Sequence, residues 1–256
     1  MKIIQVIPHL GSGGAERFVV DLSNELSHLG HQVVLCTLYA LNGSFGFYRN
    51  EINPKIKVVS LNKPFGFSFR TVASFFQLVR KEHPDIIHSH LGALQYSVIS
   101  QVLQSKGFHT IHNEAHLEVD SSYEKMLRKI IFKFGLVTPI TISNESQISF
   151  EKYYHKRAIR INNGRNIGNI TVSREVKEEI QSYKHNNLTR VIIQLARFQE
   201  QKNIPMMARV AKRLSNEGYN FTLLFIGNTD NVQILEEVKK EMPSCAHVLG
   251  EKRNPL

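Results

Sequence analysis

Residues Val191–Asn203 read VIIQLARFQEQKN, and this stretch decides the fold. A short apolar run rich in β-branched residues ends at Arg197. Lys202 follows, just before a helical pattern that carries Pro205 at its start. A strand that delivers two cations to the mouth of a helix makes a positive pocket lined by backbone N–H groups, suited to a diphosphate. A second phosphate-friendly turn, Gly11-Ser12-Gly13-Gly14, follows the apolar run near the other end of the chain. Two such strand-to-helix turns, far apart in sequence, imply two Rossmann-like lobes with an anionic ligand between them.

The rest of the chain fits an α/β alternation. Lys2–Ile7, Gln32–Leu38, Lys57–Leu61, Asp85–His88, Phe108–His112 and Pro139–Ile142 read as short buried strands. Between them, Ala15, Phe18, Val19, Leu22, Leu26 and Leu29 recur at helical spacing and are closed by Gly30. Val72, Phe75, Phe76 and Val79 mark a helix ended by Pro84, and Ala93–Leu103 another. In a further helix Tyr123, Met126, Leu127, Ile130, Ile131 and Phe134 predict the core face, and Lys125, Arg128, Lys129 and Lys133 a basic outer face. Ile159–Asn162 is a short extended piece before the Asn163-Gly164 turn. After a polar stretch from Arg165 to Leu188, strands at Val191–Leu195, Phe221–Ile226 and Ala246–Leu249 alternate with helices through Met207–Leu214 and Gln233–Met242. Strands alternating with helices throughout argue parallel sheets covered on both faces. The expected division is 1–166 for a first Rossmann-like lobe, 167–188 for the connection and 189–256 for a second, partial lobe.

At 256 residues, with 42% hydrophobic and 21% charged residues, the chain is an ordinary globular protein. Its formal charge of +10 and pI near 9.6 call for an anionic partner. Nucleic acid is not expected, because zinc-finger spacing, aromatic RNA-binding signatures and clustered Arg tails are absent from the sequence. Cys36 and Cys245 read as reduced thiols, which points to the cytoplasm. The first residues read as a strand rather than a signal peptide, and no apolar run is long enough to span a bilayer.

Six motifs, in order, carry a resemblance: IPHLGSGGAER at Ile7–Arg17, DIIHSH at Asp85–His90, TIHN at Thr110–Asn113, ITISN at Ile140–Asn144, INNG at Ile161–Gly164 and ARFQEQKN at Ala196–Asn203. Together they resemble the GT-B glycosyltransferases, specifically glycosyltransferase family 4. The resemblance implies retaining transfer of a sugar from a UDP- or GDP-sugar, without a metal ion or cofactor, in surface polysaccharide synthesis. It puts the donor mainly on the second lobe and a glycan or lipid-linked acceptor on the first. By the same resemblance Arg197 and Lys202 bind the donor diphosphate, Gly13 and Gly14 meet the donor phosphate or the acceptor, and His112 faces the reacting sugar as the catalytic histidine. Gly227 and Gly250 lie near the nucleotide. Relatives continue into a stretch that carries a pair of glutamates gripping the donor sugar, so the donor lobe is expected to be incomplete here. A non-catalytic remnant or binding module of the same family therefore stays open, as does a nucleotide-binding protein without transfer chemistry.

Each residue also has a plainer reading. Arg197 and Lys202 fit a solvated turn, Gly11, Gly13 and Gly14 a tight backbone, and His112 a satisfied polar core residue. His88 and His90 share one face of a strand, with His112 and His116 following a later one, but a zinc site lacks a cysteine or carboxylate at matching spacing. The basic face from Lys125 to Lys133, with Lys152, Lys156, Arg157 and Arg160, fits either solvent or peripheral docking to an anionic inner membrane face.

Overall fold

The computed structural model describes residues 1–119, 121–164 and 172–252. Part of the stretch read as a connection, from Arg165, and the chain's last four residues lie outside them. The chain divides into two compact units, Met1–Asn166 and Ile167–Leu256.

The first unit is built on a seven-stranded parallel sheet in the order β3-β2-β1-β4-β5-β6-β7. Its strands are β1 (Lys2–Ile7), β2 (Gln32–Thr37), β3 (Lys57–Ser60), β4 (Ile86–His90), β5 (Lys106–Ile111), β6 (Thr138–Thr141) and β7 (Ile159–Arg160). The central strands are buried almost end to end, as continuous apolar runs such as KIIQVI and QVVLCT require. Alternation sends Ile4 and Val6 to a cluster with Val34, Cys36, Phe75, Val79 and Ile87, and Ile7 to another with Val19, Val20, Val33 and Leu35. The strand order reverses between β1 and β4, and in open parallel sheets ligands bind outside the carboxyl ends at such a switch point.

The helices follow their local signals. Helix α1 (Gly14–His28) stops where Gly30 takes φ +84°, with the Gly30 and His31 N–H groups bonding back to Ser27 and Leu26. Helix α2 (Phe69–Glu82) is capped by Ser68 and ends at left-handed His83, one residue before Pro84. Helix α3 (Leu94–Leu103) follows β4 after one tight turn, and α4 (Ser122–Lys133) follows β5. Helix α5 (Asn144–Tyr154), capped by Ser143, buries Phe150 and Tyr154 against Phe132.

Helix α4 departs from the expected orientation. Its buried residues are Arg128, Ile131 and Phe132, whereas Tyr123, Met126, Ile130 and Phe134 are exposed. The helix is rotated so that an arginine, not the longest apolar stripe, faces inward.

The second unit holds a three-stranded parallel sheet in the order β10-β9-β8: β8 (Arg190–Leu195), β9 (Phe221–Ile226) and β10 (Ala246–Gly250). Helices α7 (Ile204–Asn216) and α8 (Val232–Glu241) cover one face, around Phe198, Phe221, Leu223 and Phe225. The polar stretch read as connection holds a helix, α6 (Arg174–Ser182), and its Ile180, with Tyr183 just past its end, lines the opposite face beside Ile193, Leu224 and Leu249. Lys252 anchors it through Glu179 at 2.8 Å.

Two glycines respond oppositely to a side chain. Gly227 has φ +149°, and a methyl group on it would sit 2.1 Å from the Ala196 carbonyl oxygen. Gly14 opens α1 with nothing within 4 Å of such a methyl. Gly227→Ala is expected to cost more than about 2 kcal/mol, while Gly14→Ala stays within about 0.5 kcal/mol of the parent chain. Urea denaturation of both variants checks this, and a tolerant Gly227→Ala would show that the β8–β9 crossing is not fixed by this contact.

Candidate functional site

The parallel register lines up histidines at the carboxyl edge of the first sheet. Gln5 of β1 lies opposite His88 of β4, and His90 opposite Thr110 of β5. By alternation Gln5, His88, His90, Thr110 and His112 share one face, and Ser89 and His109 the other. On the first face, His90 Nε2 bonds the Gln5 side-chain oxygen at 2.8 Å and His90 Nδ1 meets His112 Nε2 at 3.0 Å. A carbonyl oxygen only accepts, so His90 carries its proton on Nε2, and His112 must then donate from its own Nε2. The remaining nitrogen of His112, Nδ1, is left with a lone pair and takes no hydrogen bond from any described residue. Phe18 of α1 closes over both rings at centroid distances of 6.2 and 5.4 Å.

On the second face the same logic applies. Arg128 Nη1 donates to His109 Nε2 at 3.1 Å, so the His109 proton sits on Nδ1 and goes to Ser89 Oγ at 2.9 Å. Arg128 also pairs with the Glu118 carboxylate and donates from Nη2 to the Leu91 carbonyl at 2.6 Å. Glu118 in turn accepts the His112 backbone N–H at 2.9 Å.

Burial pushes all four imidazoles toward their neutral forms, helped by repulsion among them and, at His109, by Arg128. His88 falls to about 3 and His112 to about 4, His90 falls well below the usual value, and His109 falls in the same direction. Burial alone would raise Glu118, but the Arg128 guanidinium, His109 and the His112 backbone N–H together outweigh it and hold the carboxyl at about 2. This is a set of neutral, fixed tautomers, able to offer a hydrogen-bond acceptor at His112 Nδ1. Both nitrogens of His90 and of His109 are engaged in hydrogen bonds. Among the described residues no three His, Cys, Asp or Glu side chains converge as a metal site.

The Gly-rich turn has two characters. A methyl on Gly13 would fall 2.0 Å from the carboxylate of buried Glu16, so Gly13 makes room for that side chain. Gly14, in contrast, borders open space. Beside the turn, Pro8, Leu38, Tyr39, Lys63, Phe67, Gln95, Tyr96, Tyr123 and Glu124 line a cleft of about 350 Å³. Lys63 donates to Tyr39 Oη at 3.0 Å and to the carbonyls of Pro64 and Gly66, so its three protons are used in holding the cleft wall.

In the second unit, Arg197, Gly227 and Gly250 all lie at the carboxyl edge of the small sheet. Gly227 N–H bonds the Gly250 carbonyl at 2.9 Å, and Phe198, buried at 2%, fixes the loop after β8. Lys202 ends a single 3-10 turn (Glu200–Lys202), and left-handed Asn203 turns the chain into α7 with Pro205 in its first turn. Arg197 and Lys202 are exposed, and neither forms an ion pair or side-chain hydrogen bond among the described residues. The sequence reading singled out His112, His88 and His90 but missed Gln5, Glu118 and Arg128. Glu118 lies in a loop, and Arg128 was read with the outer basic face.

Comparison with known proteins places these features in one lineage. The model of the family described as "Glycosyltransferase Family 4" matches residues 12–193, and the chain belongs to that family. It is 25% identical to the capsular polysaccharide biosynthesis glycosyltransferase CapH of Staphylococcus aureus, across 100% of this chain and 71% of that protein. It is 24% identical to an α-1,4-N-acetyl-D-galactosaminyltransferase of Campylobacter jejuni named for a PP-undecaprenol-linked glycan, across 98% of this chain and 74% of that protein. Among solved structures, HepE of Anabaena in complex with UDP and glucose superposes with a TM-score of 0.74 at 18% identity, over 98% of this chain and 70% of that one. The GT-B fold is thereby shared.

The neutral histidines set the acid response of folding. Their folded-state pKa values are depressed, so below about pH 6.5 the unfolded chain takes up protons that the folded chain refuses, and stability falls as pH falls. Between about pH 6 and pH 4 His88, held at about 3, contributes a slope of about 1.4 kcal/mol per pH unit, and the other rings act in the same direction. The expected outcome is a urea midpoint markedly lower at pH 5 than at pH 7, with a smaller drop in a His88→Gln variant. A pH-independent midpoint over that range would show that these rings are not held neutral.

Proposed function

We propose that this family 4 chain transfers a sugar from a nucleotide-sugar to a glycan or lipid-linked acceptor in surface polysaccharide synthesis, with retention and without a metal. In this reading residues 1–166 are the acceptor side, 167–188 the connection and 189–256 the donor side. The observation that carries it is the pair of exposed cations, Arg197 and Lys202, flanking the glycine-ended strands of the second sheet. Two cations with no carboxylate partner among the described residues suit a diphosphate leaving group, whose developing charge they stabilise in place of a divalent ion. Gly227 and Gly250 let the backbone fold back at the strand ends, beside the nucleotide. His112, neutral with a lone pair on Nδ1, accepts a hydrogen bond from a hydroxyl of the reacting sugar, and Gly14 leaves room for the substrate against the first helix. The relatives supply the context: one is named for capsular polysaccharide, another for a PP-undecaprenol-linked glycan, and a structural neighbour was solved with UDP and glucose.

Calorimetric titration of the 256-residue chain with UDP and a panel of UDP- and GDP-sugars tests the assignment. Binding is expected to weaken at least tenfold on the order of the loss of charge-assisted hydrogen bonds in Arg197→Ala/Lys202→Ala, with circular dichroism unchanged. No binding by the folded parent chain would favour the binding-module reading instead.

The acceptor side has its own support. The cleft beside the Gly-rich turn is walled by aromatic rings, and Phe67 stacks on Tyr96 and meets Tyr123 and Phe69 edge-on. The same unit exposes Phe65, Phe69, Met126, Ile130 and Phe134, and the helix α4 that carries Met126 and Ile130 also carries Lys125, Lys129 and Lys133. Aromatic walls suit a pyranose face, and exposed apolar and basic side chains suit a lipid-linked acceptor at an anionic membrane surface. No helix among the described residues is long and apolar enough to cross a membrane. Co-sedimentation with anionic phospholipid vesicles is expected for the parent chain and reduced several-fold in Phe65→Ser/Phe69→Ser. Equal recovery of both in the supernatant would remove the membrane contact from the proposal.

A further inference from the structure

We infer that Arg128 and Glu118 are a positioning pair for His112, holding its backbone and the turn after His90 so that the two imidazoles stay in register. The inference rests on the reading of His112 as the sugar-facing residue, but the geometry stands apart from it.

Two hydrogen-bond networks run on opposite faces of the first sheet and meet at one residue. Gln5 and His90 reach His112 from the ring side, through His90 Nδ1 at 3.0 Å. Arg128 and Glu118 reach it from the main-chain side, through the His112 N–H at 2.9 Å from Glu118 Oε1. The guanidinium makes three different attachments: to the other oxygen of Glu118, to His109 Nε2 and to the Leu91 carbonyl. Leu91 follows His90 directly and has φ +52°, a left-handed conformation unfavourable for a leucine, so its carbonyl direction needs an external hold. One side chain on α4 thus fixes the turn after His90 and, through Glu118, the start of the loop after β5. The bond between the rings requires both backbones to stay in place.

Stability alone does not call for this arrangement. The two side chains are 3% and 1% exposed, and a buried ion pair replaced by apolar groups of similar volume often leaves a protein equally or more stable. Only removing one partner is strongly disruptive, because it strands the other charge. What an apolar pair cannot supply is an acceptor for the His112 N–H and a donor for the Leu91 carbonyl. The pair touches neither a donor nor an acceptor sugar in this reading; it acts through His112.

The test is imidazole NMR on the chain labelled with ¹⁵N-histidine, comparing the parent with Glu118→Leu/Arg128→Met, which strands no charge. The parent is expected to show His112 as the Nε2–H tautomer. The double variant is expected to fold with a urea midpoint below the parent's, because the His112 N–H and the Leu91 carbonyl lose their partners, while His112 becomes a mixture of tautomers. Turnover should fall on the order of tenfold to a hundredfold, with UDP affinity unchanged within about twofold. A double variant that retains both the parent tautomer and parent turnover would overturn the proposal, and so would lost turnover with an unchanged tautomer. Should the double variant not fold, Arg128→Lys serves, since an ammonium keeps the charge but cannot span Glu118, His109 and Leu91 with a planar fork. An unmoved His112 signal in that variant overturns the proposal equally. If the parent chain turns over no nucleotide-sugar, the tautomer measurement still decides the pair, and it is the transferase reading that fails.

Discussion

The parallel register of β1, β4 and β5 is the constraint on which the first unit's chemistry depends. It sets Gln5 beside His88 and His90 beside Thr110, and delivers His112 one step past the end of β5 on the same face. Imidazoles buried this closely cannot all be charged, so they stay neutral, and neutrality turns hydrogen bonding into a one-donor, one-acceptor chain. The Gln5 oxygen fixes the direction of that chain, and everything after it follows. A one-residue slip of β4 against β1 would send the histidines to the other face and dissolve the arrangement.

Glycine-rich sequence here mixes two different needs. Gly13 and Gly227 answer packing: the Glu16 carboxylate lies against the first, and the Ala196 carbonyl against the second. Gly14 and Gly250 have no neighbour within 4 Å, although Gly250 takes φ +70° and so still has a backbone reason to be glycine. Of the four, Gly14 alone has neither a steric nor a conformational reason. A ligand approaching the start of α1 would supply one.

Much of this architecture was legible in the sequence because the signals were local. Apolar runs bounded by glycine or proline gave the central strands, and Gly30 and Pro84 ended their helices where expected. Legibility failed where a long-range contact overrode local pattern. In α4 the apolar count favoured Tyr123, Met126 and Ile130 for the core, but the buried carboxylate of Glu118 demanded a cation, and Arg128 took the inner position. No spacing rule joins a loop glutamate to a helical arginine ten positions later. Helix α5 escaped because its inward residues, Ser146, Phe150 and Tyr154, are half polar. Helix α6 escaped because its sequence, REVKEEIQS, is almost wholly charged or polar. Among the candidate residues of the two units, Arg197, Lys202 and His112 are reachable from motifs, whereas Gln5 reads as an unremarkable member of an apolar strand.

The two units prepare their candidate groups in opposite ways. In the first, the polar groups are buried, neutral and tied by hydrogen bonds, so a ligand meeting His112 finds an acceptor already oriented and loses little side-chain freedom in the encounter. In the second, Arg197 and Lys202 are exposed on long side chains, and their charge is screened by solvent until an anion displaces it. A diphosphate would have to order those side chains, and charge-assisted bonds are strong enough to offset that cost. A neutral sugar hydroxyl offers no comparable return and needs a partner fixed in advance. The two units therefore present different polar groups: exposed cations at the carboxyl edge of the small sheet in one, and neutral imidazoles fixed by hydrogen bonds in the other.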